Sequence, residues 1–383
     1  MKSNEPRGVY VRIIRINYVH ANTFSCSQTG CPPTKMGEVS SMLSHADAYE
    51  VLCLQAADEG RGEVLFGDSL ARARKEARPF MVGEEFPSVY LEFPLVGEPF
   101  LDVTVLYGAL SEGTRIDSPA AAGTDGLLDW FSGPASDNDD VSFGFELDTK
   151  HAELPAAAIH FQPRRCTDFV RPFCEAIGEP ERADLYLDMV NRMPPDWPLS
   201  FFGLFRGRPG SPMRVCGYLG EHVTKACGDD SSCVAQVFDR VGFAAYDSRM
   251  LEQVSEAMRV APGTVDFQFD VFPDGSLGTT FALDIQFEIK QPKVVRASFS
   301  EGPAGRVMRL LQAWGIADER WRLVPQASFA RSLPMALKDG SIGKYALTLM
   351  PQWVKARWTD CELQPSKLYH LARASTFGSD GIK

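Results

Sequence analysis

The chain of 383 residues has no run of about 18 or more uninterrupted apolar residues, so its sequence predicts no membrane-spanning helix. The N-terminus also lacks the apolar stretch of a secretory signal peptide. Basic residues are in the minority, since 39 Lys and Arg stand against 50 Asp and Glu and give a net charge of -11. Such acidity argues against nucleic acid or an anionic membrane as a partner, although it is compatible with a local basic pocket. We therefore expect a soluble, cytoplasmic protein.

Short motifs with well-defined chemistry are also missing. There is no GxGxxG turn of a dinucleotide-binding fold, no GxxxxGK[ST] loop for nucleotide phosphates, no HExxH zinc helix and no GxSxG nucleophile turn. These absences argue against the nucleotide-dependent, zinc-peptidase and α/β-hydrolase classes of enzyme. We expect no organic cofactor.

Nine cysteines are scattered along the chain, and none of them forms a tight CxxC pair. Together with the missing export signal, the odd number favours reduced, structural thiols. Two wider cysteine pairs with a nearby histidine leave a metal site open as an alternative: Cys26 and Cys31 with His20, and Cys227 and Cys233 with His222. A catalytic cysteine is the third interpretation.

One unit recurs five times along the chain: two neighbouring strand-like segments followed by a stretch with helical character. The strand pairs are predicted at residues 88–107, 142–162, 200–219, 265–289 and 345–373. Strands that follow each other closely in sequence are most easily antiparallel. A sheet of ten such strands usually curls or closes, which also removes its exposed edges. We predict an α+β fold in which a ten-strand antiparallel barrel, with helices outside, encloses a lumen wide enough for a ligand.

The rest of the chain is assigned around this barrel. Residues 1–85 are predicted to be an N-terminal extension packed on the barrel, with a strand at 8–20 and helices at 36–57 and 63–78. The barrel takes residues 86–373, and residues 374–383 form a C-terminal tail.

The fourth strand pair separates polar from apolar side chains by alternation. One face is apolar and carries Phe267, Phe269, Val271, Phe281, Leu283, Ile285, Phe287 and Ile289. The other face is polar and carries Asp266, Gln268, Asp270, Asp284, Gln286, Glu288 and Lys290. If the outer helices cover the apolar face, the polar face must line a wet lumen instead of meeting bulk water.

Other strands carry cations beside aromatic rings on one face. These groups are Arg214 with Tyr218, Trp353 with Lys355 and Arg357, and Lys367 with Tyr369 and Arg373. Guanidinium and ammonium groups match phosphate oxygens, and ring faces attract positive charge. The pattern is therefore typical of a site that holds a diphosphate and shields a carbocation. Strand-surface charges that face solvent are the alternative.

Three stretches of the sequence resemble one enzyme family. They are YLEFPL at residues 90–95, GSPMRVCGYL at 210–219 and QPSKLY at 364–369. Together with the repeated strand pairs, they resemble the aromatic prenyltransferases of the ABBA type, and among these the peptide prenyltransferases of the cyanobactin type. The resemblance implies a ten-strand barrel ringed by helices. It also implies prenyl transfer from an isoprenyl diphosphate to an aromatic acceptor, which can be a side chain of a ribosomal peptide in natural-product biosynthesis.

The resemblance carries over to particular residues. Glu92, in the first of these stretches, would be the catalytic base, and Glu146, Asp266 and Asp284 are competing carboxylates. By the same resemblance, Arg214, Tyr218, Lys367 and Tyr369 in the other two stretches would bind the diphosphate. The strand-face pattern adds Lys290, Trp353, Lys355 and Arg357 as predicted substrate-binding residues. The resemblance allows Mg²⁺ as a bound ion. The many acidic side chains on the presumed lumen faces depart from the family pattern, because they would repel a diphosphate unless a metal ion bridges them.

Two other functions stay open on the sequence alone. A barrel could bind a peptide or a hydrophobic ligand without catalysis, as a partner in peptide maturation. A sheet that never closes could instead serve as an interaction platform. A lumen with a basic floor and an aromatic wall favours the enzyme over the passive barrel.

Overall fold

The computed structural model describes residues 44–83, 85–133, 135, 141–149, 157–163, 167–336 and 342–377. The strand predicted at 8–20, the pair Cys26 and Cys31, and residues 36–43 of the first predicted helix lie outside the described residues. The strands are β1 (Ser88–Pro94), β2 (Asp102–Tyr107), β3 (Val141–Leu147), β4 (Ala158–Pro163), β5 (Leu199–Leu204), β6 (Met213–Leu219), β7 (Val265–Val271), β8 (Leu277–Gln286), β9 (Phe329–Ala336), β10 (Ile342–Thr359) and β11 (Glu362–Phe377).

The helices precede the strands or connect their pairs. They are α1 (His45–Ala56), α2 (Arg61–Leu65), α3 (Ser69–Ala77), α4 (Asp125–Ser132), α5 (Val170–Ala176), α6 (Glu181–Arg192), α7 (Glu221–Asp229), α8 (Ser232–Val241), α9 (Ser248–Val260), α10 (Pro292–Ser300), α11 (Pro303–Ala313) and α12 (Val324–Ala327). Over the ranges that the structure describes, no helix is both long enough and apolar enough to cross a membrane.

Capping residues determine where several helices begin and end. Ser44 and Asp47 form a capping box at the start of α1. Asp247 accepts a hydrogen bond from the backbone N–H of Met250 at 2.7 Å and so begins α9. Gly242, with φ of 84°, ends α8 in the left-handed conformation that glycine adopts most easily.

Ten of the strands close into one antiparallel barrel, which confirms the predicted fold. The order around the ring is β11-β1-β2-β3-β4-β5-β6-β7-β8-β10, and β10 pairs with β11 to close it. Each pair of neighbours in this order is antiparallel. The closed ring removes the long exposed edges that an open ten-strand sheet would have.

The sequence-based prediction misses one strand, β9. This strand pairs with residues 342–349 of β10, whereas residues 353–359 of β10 pair with β8. β9 therefore extends the sheet beyond the barrel wall instead of entering the ring. β11 also continues to Phe377, past the predicted end of the barrel at residue 373.

The apolar core lies between the barrel and the surrounding helices. Outward-facing strand residues such as Phe161, Phe202 and Phe281 are fully buried. Phe161 stacks on Phe173 of α5 with ring centroids 4.1 Å apart, and Phe281 meets Phe238 of α8 at 4.8 Å. Full burial of one such side chain contributes about 1.5–3 kcal/mol. Because the apolar face of the strands points outward, the polar face is left to line the interior of the barrel.

Cys227 at the end of α7 and Cys233 at the start of α8 form a disulfide, with their Cα atoms 5.1 Å apart. The expectation of reduced thiols is therefore wrong for this pair. The part of the chain that the structure describes contains no group of three His, Cys, Asp or Glu side chains that could hold a metal ion. The alternative of a metal site at Cys227, Cys233 and His222 therefore has no support.

Close packing of β3 on β2 leads to a stability prediction. A Cβ added at Gly144 would lie 2.9 Å from the Cα of Leu106 and closer still to the carbonyl oxygen of Val105. We expect Gly144→Ala to lower the free energy of unfolding by about 1–3 kcal/mol, because overpacking forces the backbone to move. Urea unfolding measures this, and Gly108→Ala is the matched control, since a Cβ at Gly108 meets no atom within 4 Å. Equal stability of the two variants would contradict the packing described here.

Candidate active site in the barrel lumen

The barrel lumen contains a cavity of about 40 Å³ surrounded by charged side chains. Five cations line it: Arg208, Arg214, Lys355, Arg357 and Lys367. Because one buried water needs roughly 10–15 Å³, this space holds only a few waters. A ligand as large as a diphosphate must therefore displace or rotate the side chains around the cavity.

Three of the cations are hydrogen-bonded to carboxylates of nearby strands, and Lys355 forms a looser ion pair with Asp284 at 3.7 Å. Lys367 Nζ lies 2.7 Å from Asp102 Oδ2, and Arg214 Nε lies 2.8 Å from Asp270 Oδ1. Arg208 Nη2 donates to Glu146 Oε1 at 3.1 Å. These pairs balance the negative charges of Asp102, Asp270 and Glu146.

Arg357 is the exception among the lumen cations. Its Nε is buried without a hydrogen-bond partner, and no carboxylate of the described residues lies within ion-pair distance of its guanidinium. Burial and the neighbouring charge of Arg214 lower the pKa of Arg357, in keeping with a guanidinium that has no ion-pair partner among the described residues. An anionic ligand in the cavity would supply the missing partner.

An aromatic wall adjoins the cations on β1, β10 and β11. Trp353 stacks on Tyr369 with ring centroids 5.0 Å apart, and the ring centroid of Tyr90 lies 4.8 Å from that of Trp353. Lys355 Nζ sits 5.0 Å from the centroid of the Tyr369 ring. The Lys355 ammonium already lies within cation–π distance of Tyr369, so this wall is suited to stabilise positive charge.

Glu92 projects from β1 into the lumen and is only 3% exposed. Its Oε1 accepts a hydrogen bond from Thr104 Oγ1 at 2.5 Å, and its Oε2 lies 4.0 Å from Lys367 Nζ. Burial and the nearby charge of Glu146 raise the pKa of Glu92 to about 7, against the opposing effect of Lys367. A carboxylate that titrates near neutral pH can take and release a proton during a reaction.

The surroundings of Glu146 lower its pKa, in contrast to those of Glu92. Burial alone would raise the pKa of Glu146, but the hydrogen bond from His160 Nε2, at 3.0 Å, and the charge of Arg208 outweigh it and hold the pKa well below its usual range. A carboxylate so firmly held as an anion is a poor proton acceptor. Of these two competing carboxylates, Glu92 is therefore the better base, since the environment pushes the two pKa values apart.

Most of the site residues predicted from sequence meet in this lumen. Seven of them take positions there on β1, β6, β10 and β11: Glu92, Arg214, Trp353, Lys355, Arg357, Lys367 and Tyr369. Tyr218 shares the face of Arg214 on β6 and lies opposite Asp266 of β7, half-buried at one end of the lumen. Their roles in binding and catalysis stay predictions.

The predicted position of Lys290 is wrong. β8 ends at Gln286, and Glu288 has φ of 54°, which interrupts the alternation on which the prediction rested. Lys290 is exposed in the segment that leads to α10 and is not among the residues that line the cavity. Sequence reasoning also missed Asp102, His160 and Arg208, although Asp102 and His160 follow the same alternation on β2 and β4.

The donor set of the lumen does not fit a protein-held Mg²⁺ ion. Most of its carboxylates pair with lumen cations, and Asp266 and Asp284 lie together without a third carboxylate, with Lys355 beside Asp284. No group of three His, Cys, Asp or Glu side chains suitable for a metal occurs in the described ranges. Mg²⁺ prefers six oxygen ligands and binds commonly through substrate phosphates. Any role of Mg²⁺ would therefore depend on the phosphates of a bound donor, and no step proposed below uses it.

Comparison with known proteins identifies the fold. No protein-family model matches the chain, and no curated protein matches it. The chain is similar in structure to 5-dimethylallyltryptophan synthase from Streptomyces coelicolor, with a TM-score of 0.51 and 14% identity over 86% of this chain and 97% of that chain. A complex of that synthase with DMASPP and Trp gives a TM-score of 0.47 and 13% identity over 86% and 95% of the two chains. The prenyltransferase PriB without ligand gives 0.45 and 12% over 86% and 96%.

The chain shares the barrel fold of the first of these enzymes. This likeness confirms the predicted resemblance to aromatic prenyltransferases at the level of the fold. A fold alone does not determine an activity, so the function has to be argued from the lumen itself.

Proposed function

We propose that the protein transfers a prenyl group from an isoprenyl diphosphate to an aromatic acceptor. The observation that supports this is the meeting of five cations around one cavity beside a wall of three aromatic rings. The incompletely compensated charge of Arg357 calls for an anion, and the rings suit the cation that remains when a diphosphate departs. An isoprenyl diphosphate supplies both the anion that Arg357 lacks and, once the diphosphate leaves, the cation that the rings can stabilise.

In the proposed reaction, the bond between the prenyl carbon and the diphosphate oxygen breaks, and the electron pair leaves with the diphosphate. Arg357 and Lys355 stabilise the charge that develops on the leaving group. The ring faces of Trp353 and Tyr369 shield the prenyl cation from water. The acceptor ring then bonds to the cation, and Glu92 takes the proton that the ring loses.

The acceptor can be a free aromatic molecule or an aromatic side chain of a ribosomal peptide. The name of the enzyme with the same fold, 5-dimethylallyltryptophan synthase, makes an indole the first acceptor to test. The peptide form follows only from the resemblance of the sequence to the cyanobactin-type enzymes. In either form we propose a cytoplasmic enzyme of natural-product biosynthesis.

Donor binding is the first test of this proposal. We expect dimethylallyl or geranyl diphosphate to raise the free energy of unfolding by about 2.7 kcal/mol at a hundred times its dissociation constant. Thermal melts with EDTA and with Mg²⁺ measure this and show whether the ion contributes. Prenyl alcohol, which lacks the diphosphate, is the control and should give much less stabilisation.

Turnover separates the enzyme from the passive barrel. Incubation of the protein with dimethylallyl diphosphate and an indole should release diphosphate and give a product heavier by one prenyl group. Stabilisation by prenyl alcohol as strong as by the diphosphate, without any product, would contradict the proposal and favour a non-catalytic barrel that binds hydrophobic ligands or peptides.

A further inference from the structure

A second polar cluster lies in the lumen on β7 and β8. Asp266 and Asp284 are direct cross-strand partners, and Gln268 is the next residue on the same face of β7. Asp284 and Gln268 are 3% and 5% exposed. Three oxygens of this cluster, Asp266 Oδ1, Gln268 Oε1 and Asp284 Oδ1, are buried without a hydrogen-bond partner. Since buried acceptors are nearly always paired in folded proteins, these three oxygens need a donor that the described side chains do not supply.

The cluster is held in place by its remaining atoms. Gln286 Nε2 donates to Asp266 Oδ2 at 3.0 Å, and Gln268 Nε2 donates to Asp284 Oδ2 at 2.5 Å. Each carboxylate therefore has one hydrogen-bonded oxygen and one oxygen without a hydrogen-bond partner. Lys355 Nζ is 3.7 Å from Asp284 Oδ1, beyond hydrogen-bond distance, and it balances one of the two negative charges. When both carboxylates are ionised, one negative charge and three acceptors remain.

We propose that Asp266, Gln268 and Asp284 bind the ammonium group of the acceptor, so that the acceptors of this protein are aromatic molecules that carry an aliphatic amine. An ammonium group carries one positive charge and three N–H donors, which match the unbalanced charge and the three free oxygens. The inference rests on the proposed function, because it specifies which aromatic acceptors the lumen takes. Burial and the charge of Asp284 raise the pKa of Asp266 well above its usual range, so a proton can occupy the cluster until an ammonium group replaces it.

The position of the cluster suits such an acceptor. Gln286 lies opposite Trp353 of β10, and Asp284 lies opposite Lys355. The amine subsite therefore borders the aromatic wall, and a ring stacked on Trp353 could carry its amine to Asp266 and Asp284. A divalent metal is a poorer occupant, because the cluster offers two carboxylates without a third and Lys355 stands beside them.

Binding without a donor tests the subsite directly. Calorimetry should show that the wild-type protein binds tryptamine about ten times more tightly or better than 3-propylindole, which has the same shape but no amine. Asp266→Asn and Asp284→Asn should each remove most of this preference. Asp266→Asn should not harm folding, because it relieves repulsion between two buried carboxylates without breaking an ion pair. Asp274→Asn, in the exposed turn between β7 and β8, is the matched control and should keep the preference.

Several outcomes would overturn the subsite. Equal binding of tryptamine and 3-propylindole by the wild-type protein would do so, as would an unchanged preference in Asp266→Asn and Asp284→Asn. Stabilisation by MgCl₂ alone that requires both carboxylates would reassign the cluster to a metal. The two proposals fail separately: amine binding without any prenyl transfer refutes the enzyme and keeps the subsite, whereas equal transfer to both indoles refutes the subsite and keeps the enzyme.

Discussion

Replacement of Glu92 by glutamine should lower the rate of prenyl transfer about a hundredfold or more. Glutamine keeps the shape of the side chain and can still accept the hydrogen bond from Thr104, but it cannot take the proton that the acceptor loses. Single-turnover reactions with dimethylallyl diphosphate and an indole measure the step directly. Glu98→Gln changes an exposed glutamate in the turn after β1 and is the matched control, which should keep the wild-type rate.

The pH dependence provides a second readout of the same residue. Only the ionised form of Glu92 can act as a base, and the pKa of Glu92 is raised to about 7 by burial and by Glu146. The wild-type rate should therefore rise with pH below about 7 and level off above it, falling close to tenfold for each pH unit on the acid side. The residual rate of Glu92→Gln should lack this inflection. A variant with the wild-type rate and pH profile would rule out Glu92 as the base.

The fold could be predicted because its strand pairs are local in sequence. Each hairpin brings two neighbouring segments together, and the repeat of this unit implies one continuous antiparallel sheet. β9 is equally local, since it forms a hairpin with residues 342–349 of β10, but it lies outside the repeat of paired strands on which the prediction rested. Pro334 inside β9 also argues against a central strand, in agreement with its pairing to β10 alone among the described strands.

The site could be predicted only where side-chain alternation continues through a regular strand. Lys355 and Arg357 follow from this rule on β10, whereas Lys290 shows its limit, because the strand has already ended at Gln286. Arg208 belongs to the turn between β5 and β6, so no strand pattern could place it beside Glu146. Contacts of this kind arise only when the barrel closes.

Closure of the barrel also explains why the acidity of the lumen does not exclude an anionic donor. Lys367 meets Asp102 across 265 positions in sequence, a partner that no local pattern could have indicated. Each such pair removes a negative charge from the face that a diphosphate would approach. The cations in these pairs are less available to bind the diphosphate of the prenyl donor. Removal of Arg357, which has no such partner, should therefore weaken donor binding most.

Arg357→Leu should weaken donor binding about 10- to 100-fold without lowering the stability of the protein. The loss follows from the charge-assisted hydrogen bonds that a guanidinium gives to a diphosphate, worth about 1.5–3 kcal/mol. Stability should stay the same or rise, because leucine removes a buried charge that no carboxylate of the described residues balances. Calorimetric titration with dimethylallyl diphosphate and urea unfolding measure the two effects.

Arg214→Leu is the informative contrast, since both arginines line the same cavity. Arg214 pairs with Asp270 at 2.8 Å, so its removal leaves a buried carboxylate unpaired and should lower the free energy of unfolding by about 3–5 kcal/mol. Arg249→Leu, at an exposed position of α9, should change neither donor binding nor stability appreciably. If Arg357→Leu instead destabilises the protein as much as Arg214→Leu while donor affinity is unchanged, Arg357 is a structural residue and the diphosphate must bind elsewhere or not at all.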